Sequence, residues 1–376
     1  MSRRALWCGL LIGLAPVPCG AQQAGAVDSL IRDRMEKLHI PGLAIAVVDS
    51  GRVVWTGTYG YANTTTRAPV TDSTPFQLAS VSKPVTATIL MTLYAAGKFG
   101  LDDDVNRYLP FRLRHPAFPD SVITIRQLLI HRSGIADNMI YYGPFWSKGN
   151  GDVTTPLGTY LREYLTPEGK NYSREKNFLK TAPGEGSRYC NTCYALLGYL
   201  AERIAGRPFE QLSRDALFSP LGMKETAWFA RDLGQSPPAA PHRHQADSGF
   251  VTLGQNGFPD WPAGTLRSSL RDMSRFLVAY VNGGDGTTVI PAKVIRTMAP
   301  DDFHLGFLTW FLDGTRTRDI LYGHEGGDTG VRTYLAFTHR GRRGVVVLTN
   351  GEAGVKELAQ EVLIRLSPSA TRSPGN

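Results

Sequence analysis

Two β-hairpin patterns at opposite ends of the chain constrain its fold most strongly. Near the N-terminus, residues 43–48 and 53–58 are rich in apolar and β-branched side chains on either side of a turn at 49–51, which predicts two antiparallel strands. Near the C-terminus, residues 333–338 and 344–349 predict a second hairpin. We therefore expect one antiparallel sheet that is completed by chain ends distant in sequence.

Helical patterns flank both hairpins. Before the first hairpin, apolar residues recur at helical spacing up to Pro41-Gly42, and they are Val27, Leu30, Ile31, Met35 and Leu38. After the second hairpin, a closing helix carries Val355, Leu358, Val362 and Leu366 on one side. The middle of the chain, about residues 101–262, predicts a mainly helical lobe with long loops. These patterns favour an α+β fold: an antiparallel sheet formed from both chain ends and flanked by helices, with the mainly helical lobe inserted.

The N-terminus is typical of an export signal. Arg3 and Arg4 precede an apolar stretch over residues 5–17 that is too short to span a bilayer, and small residues at 19–21 suit a cleavage site. Prolines interrupt the stretch, which disfavours a retained membrane anchor, and lipidation of Cys19 is the other alternative. We expect a periplasmic or secreted protein, with no stable membrane insertion after removal of the signal.

The charge of the chain excludes some partners. The formal net charge of +8 at pH 7 is modest and scattered. The densest basic cluster, residues 339–343, lies between two apolar runs, where a solvated hairpin turn explains it. No nucleic-acid-binding motif, phosphate-binding glycine loop or Gly-x-Ser-x-Gly motif of α/β-hydrolases occurs in the sequence. We therefore expect no nucleic-acid partner and no cofactor.

The candidate nucleophile is Ser80, in the sequence Ser80-Val81-Ser82-Lys83. On a helix, residues three apart share a face, so the Lys83 amine can lie beside the Ser80 hydroxyl, whereas Ser82 points elsewhere. Such a pair can activate a serine without a histidine–aspartate couple. Pro84 fits a position near the start of a helix, where a missing N–H costs least.

Two later motifs follow the serine–lysine pair in a fixed order. They are Tyr189-x-Asn191 and His324-x-Gly326-Gly327. With them, the chain resembles the serine β-lactamase and penicillin-binding protein superfamily, in its class C-like branch. Local sequences that are also similar to that family occur at residues 39–42, 128–134, 220–223 and 262–264.

The resemblance implies a role for each of these residues. Ser80 becomes acylated, and Tyr189 carries its proton between the nucleophile and the leaving group. Lys83 acts as a base only if its neighbours hold it neutral, and as a cation it orients Tyr189 and the serine. Asn191 binds an amide on the acyl side of the substrate. The N–H groups of Ser80 and Gly327 form the oxyanion site. The resemblance also implies a β-lactamase/transpeptidase-like fold. We expect one catalytic domain over residues 22–366, between the signal peptide at 1–21 and a polar tail at 367–376 that we expect to be disordered.

His324 occupies the position at which many relatives carry a lysine. Histidine titrates near neutrality, so we expect a weaker hold on substrate carboxylates, lost as the pH rises. Gly326 and Gly327 should leave the strand edge bare for a ligand. We expect no metal, since Asp328 replaces the second histidine of a zinc-protease motif and the histidines of His242-Arg243-His244 are expected to be solvated.

Cys190 is the middle residue of the Tyr189-x-Asn191 motif, and Cys193 follows the motif two residues later. In an oxidising compartment they can close a small disulfide, and otherwise they serve as small buried residues. A thiol-redox function would need a thioredoxin-like context, which the surrounding sequence lacks. We interpret the pair as structural.

Two long segments are rich in aromatic residues and glycine or proline. We expect residues 138–180 and 231–262 to be loops that form either substrate-facing walls or plain surface insertions. Their aromatic residues include Tyr141, Tyr142, Phe145, Trp146, Tyr172, Phe258 and Trp261.

The motifs leave the substrate open. An ester, a D-amino-acid peptide or amide, and a β-lactam all need the same nucleophile, and peptidoglycan-type acyl compounds belong to this class. His324 in place of lysine favours an esterase or peptidase over an efficient β-lactamase. The alternative is a penicillin-binding or sensing module of the same fold with little turnover.

Overall fold

The structure, a computed structural model, describes residues 19–138, 151–234, 237–283, 289–299, 305–311, 320–338 and 342–366. Its strands are β1 (Gly42–Asp49), β2 (Arg52–Asn63), β3 (Ala68–Pro69), β4 (Phe76–Gln77), β5 (His242–Gln245), β6 (Gly249–Thr252), β7 (Arg267–Ser268), β8 (Leu308–Phe311), β9 (Ile320–Asp328), β10 (Val331–Thr338) and β11 (Arg343–Thr349). Seven of them form one antiparallel sheet in the order β3-β2-β1-β11-β10-β9-β8.

The two ends of the chain meet at the centre of this sheet. β1 pairs with β11 in a register that runs from Leu43 opposite Thr349 to Val48 opposite Gly344. Every residue of β1 and of β11 is buried, which explains why both strands are nearly continuous apolar runs. The prediction of one antiparallel sheet completed by distant chain ends is confirmed.

Helices cover both faces of the sheet. The helices of the described residues, including those of the middle of the chain, are α1 (Cys19–Lys37), α2 (Ser82–Ala95), α3 (Ile125–Leu129), α4 (Leu157–Leu165), α5 (Asn191–Ala205), α6 (Phe209–Ser213), α7 (Ser219–Leu221), α8 (Leu270–Val281), α9 (Ala292–Met298) and α10 (Lys356–Leu366). A π-helical turn, Arg214–Phe218, joins α6 to α7.

The terminal helices α1 and α10 pack on one face of the sheet. Val27 and Ile31 of α1 and Val362 of α10 are buried against the outward side of β1 and β11. Leu38, predicted to share this apolar face, is 39 % exposed because α1 ends at Lys37. The opposite face carries the larger core, which joins the sheet to α2, α5 and α8.

The middle of the chain is the mainly helical lobe that the sequence predicts. The two segments expected to be loops nevertheless contain regular structure: α4 lies within 138–180, and the β5–β6 hairpin lies within 231–262. Trp261 is not a substrate-facing wall. It is buried among the rings of Phe209, Trp228 and Phe229.

Several sequence predictions concern residues outside the described ranges. Residues 1–18 of the expected signal, the aromatic residues at 141–146 and the tail at 367–376 are among them, so these predictions stay predictions. Within the described ranges, no helix has both the length and the apolar character that crossing a membrane requires.

Candidate active site

Ser80 lies in a short 3₁₀ turn, Ala79–Val81, that leads into α2. Ser80 therefore does not open the α-helix itself, which begins at Ser82. Its pairing with Lys83 persists because residues i and i+3 eclipse one another in 3₁₀ geometry. Ala79 has a φ of 47°, a left-handed conformation that is costly for a residue with a Cβ, so tertiary contacts must hold this turn in place.

Strand β10 and Leu266, the residue before β7, supply two such contacts. Thr333 Oγ1 donates a hydrogen bond of 2.6 Å to the Leu78 carbonyl, and the Leu78 N–H donates to the Leu266 carbonyl at 2.8 Å. A Cβ at Gly326 would overlap both Thr333 Oγ1 and the Leu78 carbonyl oxygen. Glycine at 326 therefore lets β9 approach the backbone that carries Ser80.

The two serines of the motif have different environments. Ser80 is partly exposed, and its Oγ lies 3.0 Å from Lys83 Nζ. Ser82 is fully buried, and its Oγ accepts a hydrogen bond of 3.2 Å from the Leu266 N–H. Only Ser80 is both accessible and beside the lysine, as the helical spacing indicates.

Lys83 is a fully buried cation surrounded by neutral oxygen atoms. Its Nζ donates to Ser80 Oγ at 3.0 Å, to Asn191 Oδ1 at 2.7 Å and to the Ala263 carbonyl at 2.9 Å. Within the described part of the chain, no carboxylate forms an ion pair with it. The three acceptors use all three ammonium donors and fix the amine beside the nucleophile.

Tyr189 closes the exposed side of this cluster. Its side chain is 41 % exposed, and Lys83 Nζ lies 4.7 Å from the centroid of its ring, a cation–π distance. The rings of His131 and His324 lie 4.7 and 6.0 Å away, centroid to centroid. The structure therefore brings Ser80, Lys83 and Tyr189 to one place.

Asn191 begins α5, and the start of that helix is held by Asp137. The Asp137 carboxylate accepts from the Asn191 N–H at 2.7 Å, from the Thr192 N–H at 2.9 Å and from Thr192 Oγ1 at 2.9 Å. These contacts satisfy N–H groups that a helix start leaves without partners. Asp137 is not among the candidate residues named from the sequence, although it lies three residues after the family-like segment 128–134.

Cys190 and Cys193 form a disulfide in this structure. Both cysteines are fully buried, and Cys190 Sγ also accepts from the Cys193 N–H at 3.0 Å. The disulfide therefore ties the residue between Tyr189 and Asn191 to the first turn of α5. Of the alternatives left open by the sequence, the bonded one is present.

His324 is buried on β9, 3 % exposed, and cannot act as the expected cation. Burial, and then the nearby charge of Lys83, lowers the pKa of His324 to about 3. Its Nδ1 lies 2.6 Å from the Glu325 carbonyl oxygen, and a carbonyl can only accept, so Nδ1 carries the proton of the neutral ring. The expectation of a charge that titrates near neutrality is wrong, because the tertiary structure desolvates the ring.

Gly327 lies on the strand edge that faces the serine turn. The described pairing of β8 with β9 ends at Gly323, so residues 324–328 pair only with β10 in the described part of the chain. A Cβ at Gly327 would meet nothing closer than the Arg332 guanidinium at 3.5 Å. In the described part of the chain, the strand edge at Gly326 and Gly327 is bare, as predicted. Of these two positions, only 326 must be glycine to avoid a clash.

Asp260, a buried carboxyl group near Lys83, is likewise not among the candidate residues named from the sequence. It precedes the 3₁₀ turn Trp261–Ala263, whose last carbonyl accepts from Lys83. Its Oδ1 has no hydrogen-bond partner among the described residues. Burial, reinforced by the charge of Asp137, raises the pKa of Asp260 to about 8. The group therefore adds little negative charge beside Lys83 at neutral pH.

The described histidines outside this cluster are not grouped as a metal site. His242, expected to be solvated, is buried within hydrogen-bond distance of the Thr64 N–H and the Asn350 side chain. His244 is exposed and stacks on His39 with a centroid distance of 3.7 Å. Within the described ranges, no three histidine, cysteine or acidic side chains are grouped to hold a metal ion.

Comparisons with known proteins cover most of the chain. The sequence matches the β-lactamase family over residues 27–367. It is 24 % identical over 331 residues to protein flp of Staphylococcus aureus (strain MW2), covering 86 % of this chain and 62 % of that protein. It is 27 % identical over 345 residues to a penicillin-binding protein of Bacillus subtilis (strain 168), covering 87 % of this chain and 71 % of the relative.

A solved structure shows the same fold. The octameric penicillin-binding protein homologue from Pyrococcus abyssi superposes with a TM-score of 0.73 at 24 % identity, covering 91 % of this chain and 77 % of that one. The β-lactamase/transpeptidase-like architecture expected from the resemblance is thereby confirmed. On the extent of the family match, which spans residues 27–367, the chain belongs to the β-lactamase family.

Proposed function

We propose that this chain is an exported serine hydrolase that forms an acyl-enzyme at Ser80. The observation that carries the proposal is the 3.0 Å contact between Lys83 Nζ and Ser80 Oγ. The serine is partly exposed, while the lysine is fully buried and held by two further oxygen acceptors. A lysine fixed against a hydroxyl is one of the arrangements that activate serine for acyl transfer.

The reaction proceeds in two halves. Ser80 Oγ attacks the acyl carbon, its proton passes to the oxygen of Tyr189, which reacts as a phenolate beside the Lys83 ammonium, and the carbonyl electrons move onto oxygen. The N–H groups of Ser80 and Gly327 are the donors that the family resemblance assigns to this oxyanion. Collapse breaks the bond to the leaving group, which takes up the proton through Tyr189. Water then attacks the acyl-enzyme, releases the acid and restores Ser80.

The substrate is an ester, a D-amino-acid peptide or amide, or a β-lactam, and the state of His324 favours the first two. A neutral imidazole offers no charge to a substrate carboxylate, whereas lysine at the same place would offer a fixed one. Because the pKa of His324 is lowered to about 3, changing the pH between 5 and 9 should not alter this preference. Small acyl compounds of peptidoglycan type remain the proposed natural class.

The export signal predicted at residues 1–21 supports a periplasmic or secreted location. The disulfide Cys190–Cys193 agrees with it, because protein disulfides persist mainly in oxidising compartments. Expression of the full chain with a C-terminal tag, followed by fractionation and N-terminal sequencing, tests this part of the proposal. Recovery of full-length protein in the cytoplasm alone would contradict it.

A time course with fluorescent penicillin, run beside hydrolysis of p-nitrophenyl acetate, tests the reaction. Both activities should fall roughly a thousandfold or more in Ser80→Ala and persist in Ser82→Ala, the matched control. Stable labelling with little ester turnover would identify the penicillin-binding or sensing alternative, and rapid release of label would identify a β-lactamase. Activity that survives Ser80→Ala would overturn the acyl-enzyme proposal altogether.

A further inference from the structure

His131 lies beside the proposed catalytic cluster, and the mechanism above gives it no role. It belongs to the family-like segment 128–134, and its φ of 58° places it in the left-handed region. For a non-glycine residue this conformation is costly and is retained where surrounding contacts impose it. The contacts of His131 converge on the segment that carries Tyr189.

His131 accepts two hydrogen bonds, one from each residue that flanks Tyr189 along the chain. The residue before it, Arg188, donates its N–H to the His131 carbonyl at 3.0 Å. The residue after it, Cys190, donates its N–H to His131 Nδ1 at 3.1 Å. The backbone on both sides of the tyrosine is therefore fixed to one residue, once through its main chain and once through its ring.

The imidazole also fixes the tyrosine side chain. The centroid of its ring lies 4.7 Å from that of Tyr189 and 5.2 Å from that of Tyr194. Tyr194 is buried, and its hydroxyl donates to the Leu129 carbonyl at 3.1 Å. A half-exposed tyrosine is thus connected through one ring to the core of the helical lobe.

The ring keeps this geometry because it stays neutral. Burial, and then the charge of Lys83, lowers the pKa of His131 to about 3. Its Nδ1 lone pair therefore remains available to the Cys190 N–H at any pH at which the protein would be assayed. Protonation would convert this acceptor into a donor and break the contact.

We propose that His131 is a positioning residue whose imidazole holds Tyr189 where its hydroxyl can deliver a proton to the leaving group. The inference rests on the proposed function and deepens it. It predicts that losing the ring harms reactions that need a protonated leaving group more than those that do not. Misplacement of a proton donor by about 1 Å costs on the order of a hundredfold in rate.

The test compares two acetate esters with different leaving groups. p-Nitrophenolate departs without a proton, whereas the ethoxide of ethyl acetate needs one. In His131→Phe, which keeps a ring but loses the acceptor, and in His131→Asn, which keeps an acceptor but loses the ring, kcat on ethyl acetate should fall roughly tenfold to a hundredfold more than on p-nitrophenyl acetate. KM should change little. Asparagine tolerates the left-handed backbone, so His131→Asn carries the test if His131→Phe fails to fold.

His115→Asn is the matched control. His115 is another buried histidine whose Nδ1 accepts a backbone N–H, from Ala117 at 3.2 Å, and whose ring packs against Phe118 and Phe178. It should leave the ratio of the two rates unchanged. In a Tyr189→Phe background, the His131 substitutions should add no further loss, since they act through that hydroxyl.

The outcomes separate this inference from the proposed function. If the wild-type protein shows no hydrolysis that depends on Ser80, the proposed function itself fails. If hydrolysis depends on Ser80 but the two esters lose rate equally in the His131 variants, or the losses add in Tyr189→Phe, His131 is a packing residue and the inference is overturned.

Discussion

Lys83 and Asn191 are joined directly, with Nζ of the lysine 2.7 Å from Oδ1 of the asparagine. Because the ammonium can only donate, the amide oxygen faces the lysine and the amide NH₂ must point away from it. No described residue accepts from the NH₂ group, and in the proposed function it would donate to a carbonyl on the acyl side of a substrate. The hydrogen bond orients both residues at once, although 108 positions separate them in sequence.

Asp137→Ala should weaken the site by loosening the start of α5. Loss of the capping carboxylate should lower the free energy of unfolding by about 1–2 kcal/mol and reduce kcat, because the Asn191 N–H loses its acceptor. Ser269→Ala is the control, since Ser269 caps α8 through the Asp272 N–H at 3.2 Å. It should lower stability by a similar amount and leave kcat unchanged. Equal kcat values for the two variants would show that Asp137 is only a helix cap.

Gly326→Ala should disrupt the serine turn. The added methyl group would overlap Thr333 Oγ1 and the Leu78 carbonyl, so β9 or the backbone before Ser80 must move. Overpacking of this kind costs about 1–3 kcal/mol, and the shift should lower kcat as well. Thermal unfolding and ester hydrolysis measure the two effects.

Gly327→Ala is the stability control for that substitution. Its added methyl group meets only the end of the Arg332 side chain at 3.5 Å, an ordinary contact distance. Its melting temperature should therefore stay close to that of the wild-type protein. A melting temperature as low as that of Gly326→Ala would contradict the packing argument.

Replacing the disulfide should leave a folded and active protein. In Cys190→Ser with Cys193→Ala, the serine hydroxyl can take over the N-cap bond that Cys190 Sγ makes to residue 193, and serine is a favoured cap. The loop closed by the disulfide is short, so the bond contributes roughly 2 kcal/mol at most. Specific activity and a thiol titration of the wild-type protein check this prediction. Loss of most activity in a folded double variant would indicate a direct role for the sulfur atoms.

His324 should make the protein less stable in mild acid. Its pKa is about 3 in the folded protein, against 6.5 for a histidine in the unfolded chain, so below pH 6.5 the unfolded chain binds a proton that the folded chain does not. The stability that the neutral His324 ring contributes is therefore complete above pH 6.5, and it is lost as the pH falls towards 3. Linkage gives about 2 kcal/mol lost between pH 7 and pH 5. His324→Asn should lose less over that interval in denaturant unfolding, and identical losses would refute the buried neutral histidine.

Short-range sequence patterns determined the frame of the molecule. The two apolar hairpins predicted a sheet built from both chain ends, and the pairing of Leu43 with Thr349 confirms it. The three-residue spacing of Ser80 and Lys83 predicted their contact, which survives the change from an α-helix to a 3₁₀ turn. These features follow from periodicity, and periodicity can be read within one segment of the chain.

Only the tertiary structure decided the electrostatics and the support of the site. Nothing near His324 in sequence indicates that burial and Lys83 would keep its ring neutral. The local sequence also does not indicate that Asp137 would cap α5 or that His131 would accept hydrogen bonds from the residues on both sides of Tyr189. Desolvation and hydrogen bonding between distant segments depend on which residues the fold brings together. The spacing of residues along one segment does not determine these long-range contacts.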